Sequence, residues 1–305
     1  KRLLNMIVQV GGASDFIVAL TSLIKCLAVG HMHIIGDFFD RGNRPDTILD
    51  MVREYHSLDI QWGNHDILWM GAASGSEVCI AGVVRNSLRY KNTEVLEKGY
   101  AISLRPLTMY AQRIYPDEIR SRHRKGYFHD NVQAGGTVDS PESGFQMESR
   151  LQLQNVDYNA SFYNLNGKRY ELSSAYFPTV DPKNPYELTD EEKQIIGDLK
   201  SYFIESERLQ RHVEFIYKKG SVYTCCNQNL LFHGCIPLNW DGTMKEVSFD
   251  GRPYKGKSYM DFCDQMARKA RATKEQKALD FMCSCGMACF PLFLGGSLPP
   301  LSACS

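Results

Sequence analysis

The chain alternates short apolar runs with longer stretches in which apolar positions recur every three or four residues. "SDFIVALTSLIKCLAVG" (14–30) carries Ile17, Leu20, Ile24 and Leu27 at helical spacing, with Ser14 as the expected N-cap and Gly30 as the expected stop. "HMHIIGD" (31–37) follows as an expected buried strand, Ile34 and Ile35 included. "RPDTILDMVREYHSL" then restarts a helix through Ile48, Val52 and Tyr55, with Pro45 in its first turn. "LDIQWGNHD" (58–66) repeats the design of a short apolar strand closed by a glycine-containing polar turn, and "ILWMGAASGSEVCIAGVVRNSLRY" reads as largely helical. This strand, turn, helix alternation predicts an α/β fold whose strand ends share one side.

The pattern lapses in "RSRHRKGYFHDNVQAGGTVDSPESG", which predicts a loop, lid or insertion. Its basic cluster (Arg120, Arg122, Arg124, Lys125) could meet phosphate, but a solvated face is the plainer reading. Helical spacing returns at 187–220: Thr189 and Glu192 form a capping box, and Lys218, Lys219 and Gly220 suit a helix end. "SVYTCCNQNLLFHGC" predicts two strands around an Asn-Gln-Asn turn, the second ending at His233-Gly234. The expected organisation is a first core part (1–111), a polar insertion or lid (112–165), a second core part (166–282) and a cysteine-rich tail (283–305).

Composition narrows the classes. With 305 residues, 43% apolar and 23% charged, the chain can bury a sizeable core. Acidic and basic residues balance at 35 each, so bulk charge points to neither nucleic acid nor an anionic membrane. No apolar run approaches the roughly 20 residues that span a bilayer, and no leader is evident, so a cytoplasmic protein is expected. The scattered Cys26, Cys79, Cys235 and Cys263 read as reduced, buried thiols. The chain opens in mid-pattern at Lys1, which suggests a fragment.

Three apolar runs end in metal-capable side chains: Asp37, Asn64 with His65, and His233. In open α/β sheets, ligands bind beyond the carboxyl ends of strands, where residues distant in sequence converge. Each has a plain alternative: Asp37 as a helix cap, Asn64 as a turn former, His233 as a satisfied core histidine. The combination, with glycine beside each, is far more specific.

"GDFFDRG", "GNHD" and "FHG" resemble three motifs of the calcineurin-like metallophosphoesterases. The longer strings "YHSLDIQWGNHDILWMGAASGS", "FPTVDPKNPYELTDEEK" and "LLFHGCIPLNWDG" resemble the class III fructose-1,6-bisphosphatases of bacteria, a likeness running over about 10–110 and 141–282. The resemblance implies an α/β sandwich of two sheets with flanking helices, incomplete here. It also implies hydrolysis of the 1-phosphate of fructose 1,6-bisphosphate, a step of gluconeogenesis, with no nucleic-acid or membrane partner. Asp37 would bridge two divalent ions, Asn64 and His233 would complete one of them, and manganese suits that oxygen and nitrogen set better than magnesium or iron. His65 would face the leaving-group oxygen as proton donor, Asp40 would orient it, and Arg41 would fork onto phosphate. Asp66 reads only as a turn and cap residue. Arg105, Arg113 and the basic insertion are candidates of low weight for the sugar.

The chain also departs from that pattern. No aspartate is followed two positions later by histidine, and no Gly-His follows the first motif. One of the two cation positions therefore keeps only Asp37, and little or no phosphatase activity is expected of the chain as it stands. His31 and His33 form an H-x-H that enters a strand rather than leaving it, and they are not recruited. The uncharged tail "CSCGMACFPLFLGGSLPPLSACS" holds four cysteines. Metal binding by Cys283, Cys285 and Cys289 is one reading, although paired C-x₂-C spacing is missing. A second is translation out of frame, since a neighbouring frame can encode the "SPLFG" of the resembled family; sequencing the coding DNA tests it. The remaining alternatives are a phosphoprotein or dinucleotide phosphoesterase of the same superfamily, or a non-catalytic binding protein.

Overall fold

A computed structural model describes residues 2–115, 153–165, 167–172, 177–234, 236–239 and 241–287. The basic cluster at 120–125, Cys235, Cys289 and most of the expected insertion lie outside the described residues. The fold is mixed α/β. Helices α1 (Arg2–Gln9) and α2 (Ala13–Ala28) lead into β1 (Met32–Ile34), α3 (Pro45–Arg53), β2 (Leu58–Gln61), α4 (Asn64–Ala73) and α5 (Glu77–Arg89). A π-type turn at Val95–Gly99 precedes α6 (Arg105–Ile114), and β3 (Val156–Asp157), β4 (Phe162–Leu165) and β5 (Lys168–Glu171) make a small antiparallel sheet. Then come α7 (Asp190–Glu205), α8 (Glu207–Lys219), β6 (Gly220–Ser221), the hairpins β7–β8 (Tyr223–Cys226, Asn229–Phe232) and β9–β10 (Val247–Phe249, Arg252–Tyr254), α9 (Lys257–Thr273) and α10 (Gln276–Met287).

The central sheet is parallel, in the order β1-β2-β6, with Met32 opposite Leu58 and Ile34 opposite Ile60. Its crossovers are helical, as parallel strands require. Ile60 is fully buried, and α4, α5 and α10 pack against one another in the core, joined by buried residues of α7, α8 and α9. Phe39 stacks on Trp69 with ring centroids 4.5 Å apart, and Trp69 in turn meets Tyr100 and Phe203. Such a pair contributes about 0.5–1.5 kcal/mol beyond its buried area. It clamps the loop after β1 onto α4.

Local signals explain most elements. Thr189 Oγ1 accepts from Glu192 N–H while the Glu192 carboxylate accepts from Thr189 N–H, completing the expected capping box. The helical stretch at 190–219 is nevertheless two helices. Ser206 is extended between them, accepting from Leu209 N–H and donating to the Tyr100 carbonyl. Asn227 and Gln228 turn the β7–β8 hairpin with φ of 50° and 65°, the paired positive values a two-residue turn needs.

Three expectations fail for physical reasons. Gly12, not Ser14, precedes α2; Ser14 lies inside its first turn, and the helix stops at Ala28. Its apolar stripe buries nothing: Ile17 is 62% exposed and Leu27 77%. Helical spacing reports an amphipathic helix and is silent about what covers it. The strand at 32–34 is half-buried because β1 is an edge strand, and Ile35 beyond it is exposed. Among the cysteines, Cys79 and Cys263 are buried as expected, but Cys26 is exposed on α2; none of the seven described cysteines forms a disulfide. The tail's first residues continue α10 as far as Met287, and Cys283 is fully buried beside Cys79.

Candidate metal and phosphate site

Two loops, one after β1 and one after β2, meet where the parallel strands end. Gly36 (φ 53°) and Asp37 (φ 57°) are both left-handed, and a non-glycine residue holds that conformation only under constraint. The constraint is Asp66. Its fully buried carboxylate accepts the N–H groups of Asp37 (2.8 Å), Phe38 (2.9 Å) and Gly63 (3.0 Å), tying both loops to the start of α4. Burial pushes the Asp66 carboxyl up to about 7, and the nearby Asp37 charge adds to this against the pull of the three backbone donors. The loops come so close that a Cβ on Gly63 would land on the Asp37 carboxylate.

Asp37 sits at the junction. Its Oδ1 accepts from the His65 backbone N–H (3.1 Å), and its Oδ2 lies 3.1 Å from His233 Nε2. Burial raises the Asp37 carboxyl, but the hydrogen bond and charge of His233, with His65 beside it, hold it below its usual range. His233, arriving just past β8, donates Nδ1–H to the Ile35 carbonyl at 3.0 Å, which fixes its ring orientation and turns Nε2 toward Asp37. The bond to Asp37 raises His233 to about 9, against burial.

On the other side of Asp37, His65 Nε2 stands 3.1 Å from Asp40 Oδ1, and Arg41 Nε stands 3.6 Å from the same oxygen. Among the described residues that oxygen nonetheless has no aligned hydrogen-bond donor, so both contacts are close approaches rather than hydrogen bonds. The exposed Arg41 guanidinium lies over the Tyr90 ring at 4.4 Å. A cleft bounded by Asp40, His65, Trp69, Asn86 and Tyr90 opens beside it.

Of the residues singled out by sequence, Asp37, Asp40, Arg41, His65 and His233 therefore form one chain of contacts, and Asn64 opens α4 directly beside His65. One donor atom each from Asp37, Asp40 and His65 falls within 4.8 Å of the others. These donors, and the Asp37–His233 pair beside them, are carboxylate oxygens and imidazole nitrogens, groups that could hold a divalent cation. Arg113 is instead paired with Glu191 on α7, and Arg105 is exposed at the start of α6. Sequence reasoning missed the reach of Asp66. Its place three residues after Gly63 signals the cap, whereas its bonds to Asp37 and Phe38 exist only once the strands pair.

The profile of a family described as Firmicute fructose-1,6-bisphosphatase matches residues 1–135 and 132–286. A fructose-1,6-bisphosphatase class 3 of Listeria monocytogenes is 43% identical over 302 residues, covering 91% of this chain and 46% of that relative. One from Clostridium beijerinckii is 43% identical over 301 residues (92% and 45%), and one from Clostridium novyi 41% over 305 (92% and 46%). The chain thus spans about half the length of these relatives. No solved structure matches it.

Proposed function

Because the chain belongs to the Firmicute fructose-1,6-bisphosphatase family, we propose that its strand-end site takes part in metal-assisted removal of the 1-phosphate from fructose 1,6-bisphosphate. The fold around it would be the metallophosphoesterase sandwich. The observation that carries this reading is the Asp37–His233 pair: a strained carboxylate facing an imidazole whose other nitrogen is already committed to Ile35.

Asp37, His233 and Asn64 would hold a divalent cation, manganese by donor chemistry. Bound there, such an ion supplies charge against the phosphoryl oxygens and makes water a stronger acid. The chain's own groups do the rest. His65, with Asp40 at 3.1 Å, can give a proton to the leaving sugar oxygen, a contribution of about 10²–10⁴-fold. Arg41 is exposed and held over Tyr90, free to present its fork to phosphate. The sequence carries neither the Asp-x-His motif nor the later Gly-His motif that would complete a second cation position, so little or no activity is expected of the 305-residue chain.

The test is manganese-dependent phosphate release from fructose 1,6-bisphosphate by a family-length polypeptide carrying this sequence, beside the 305-residue chain. A phosphopeptide and a dinucleotide serve as competing substrates. Release from the sugar bisphosphate alone, at least tenfold faster in the longer protein and lost in His65→Ala, is expected. Preference for either competitor would overturn the substrate reading, and equal turnover of both proteins would overturn the ligand argument.

A further inference from the structure

A second histidine and carboxylate cluster lies on the same two strands, away from the proposed phosphatase site and independent of it. His31 and His33 are two residues apart around β1, so they share a face. The register sets His33 directly opposite Asp59 on β2. His31 Nε2 lies 2.7 Å and His33 Nδ1 2.8 Å from the same oxygen, Asp59 Oδ2. The two rings meet edge to face at 4.7 Å. Burial raises the Asp59 carboxyl, but hydrogen bonds from Gln61, His31 and His33 outweigh it and keep Asp59 an anion.

We propose that His31, His33 and Asp59 form a binding site for a divalent transition-metal ion of the zinc class, which staples β1 to β2. The geometry meets three demands of such a site. Two imidazole nitrogens and one carboxylate oxygen converge on one spot, with donor atoms within 4.8 Å of one another, and the face is open enough for the ion to enter. The distal nitrogen of His31, Nδ1, is 2.8 Å from Ser57 Oγ, so with the proton on Nδ1 that hydroxyl fixes the tautomer that leaves Nε2 to the metal. Beside the triad, the fully buried Gln61 donates its amide N–H to Asp59 Oδ1 at 2.6 Å, and its Oε1 has no partner among the described residues. A buried amide oxygen without a donor is costly, and the bond its amide N–H makes holds the Asp59 carboxylate in place. Two imidazoles and a carboxylate leave open coordination positions, a set that suits zinc and cobalt. On binding, the ion replaces the imidazole N–H bonds to Asp59, and the imidazoles ligate in their neutral form.

The test is calorimetric titration of Zn²⁺ alone into the chain carrying Asp37→Asn and His233→Ala, which silences the first site. One equivalent is expected to bind at micromolar concentration or below. Adding His33→Ala should weaken it at least tenfold, and the metal should raise the melting temperature of the first protein but not the second. Should His33→Ala fail to fold, Asp59→Asn and His33→Gln keep polar groups in place and must give the same weakening. Co²⁺ gives an independent readout: visible ligand-field bands of a nitrogen and oxygen site are expected, and their loss in the same variants. No saturable Zn²⁺ binding in the silenced protein, or an isotherm unmoved by His33→Ala and Asp59→Asn, would overturn the proposal.

Discussion

Around the paired strands β1 and β2 lie two constellations of histidine and carboxylate that differ in how they are made, the second completed by His233 from beyond β8. In the triad, His33 and Asp59 stand opposite one another on regular strand backbone, and His31 lies one residue before β1. Asp37, His65 and His233 stand past the strand ends, on backbone that is left-handed at Gly36 and Asp37 and held there by one buried carboxylate. The same chemistry therefore comes at very different structural cost. Strain accumulates where atoms must be placed to a fraction of an ångström, and is absent where a pleated surface already places them.

That difference gives the first and largest expected effect. Asp66→Ala leaves the N–H groups of Asp37, Phe38 and Gly63 without their acceptor; at about 1–3 kcal/mol for each buried orphan, unfolding in urea should show a loss above ~3 kcal/mol. Asp59→Ala also removes a carboxylate with three donors, but water reaches His31 and His33, and only the buried Gln61 amide loses its acceptor. The expected loss is about 1–3 kcal/mol, below that of Asp66→Ala. Equal losses would erase the contrast. Next comes Gly63→Ala, whose new methyl group meets the Asp37 carboxylate. A cost of about 1–3 kcal/mol is expected, together with weaker manganese binding, both readable by melting and titration.

A smaller effect concerns acid. Asp50 on α3 is held down to about 2 by hydrogen bonds from Arg208 and His212. A depressed carboxyl stabilises the fold at pH above its unfolded value of 3.8, and that stabilisation is lost as pH falls toward 2. Melting temperatures of the parent and Asp50→Asn should therefore converge between pH 4 and 2; a constant gap would contradict the assignment. The smallest effect is expected on α2, where Ile24→Ser should change stability by less than ~0.5 kcal/mol because its side chain is exposed. A large loss would mean that this stripe is covered.

Much of this was legible in the residues. Thr189 with Glu192, Pro45 at a helix start and Asn227-Gln228 between strands are local signals, and local signals survive folding. The convergence of Asp37, His65 and His233 was readable because each ends an apolar run beside a glycine. What was not legible depends on pairing between segments. Asp66 reads as a cap until β1 and β2 align; His31 and His33 look idle until register sets Asp59 opposite His33; and the stripe on α2 has the period of a buried helix but is not covered by the described residues.

The account rests on Asp37 and His233 forming a divalent-cation site, and manganese itself reports on that most directly. Free Mn²⁺ gives a six-line paramagnetic resonance signal that weakens when the ion binds protein. Titrating the 305-residue chain should remove the signal saturably. Asp37→Asn or His233→Ala should restore it, and His33→Ala should leave it as in the parent. Uptake that is unchanged by Asp37→Asn, or abolished by His33→Ala alone, would contradict the account.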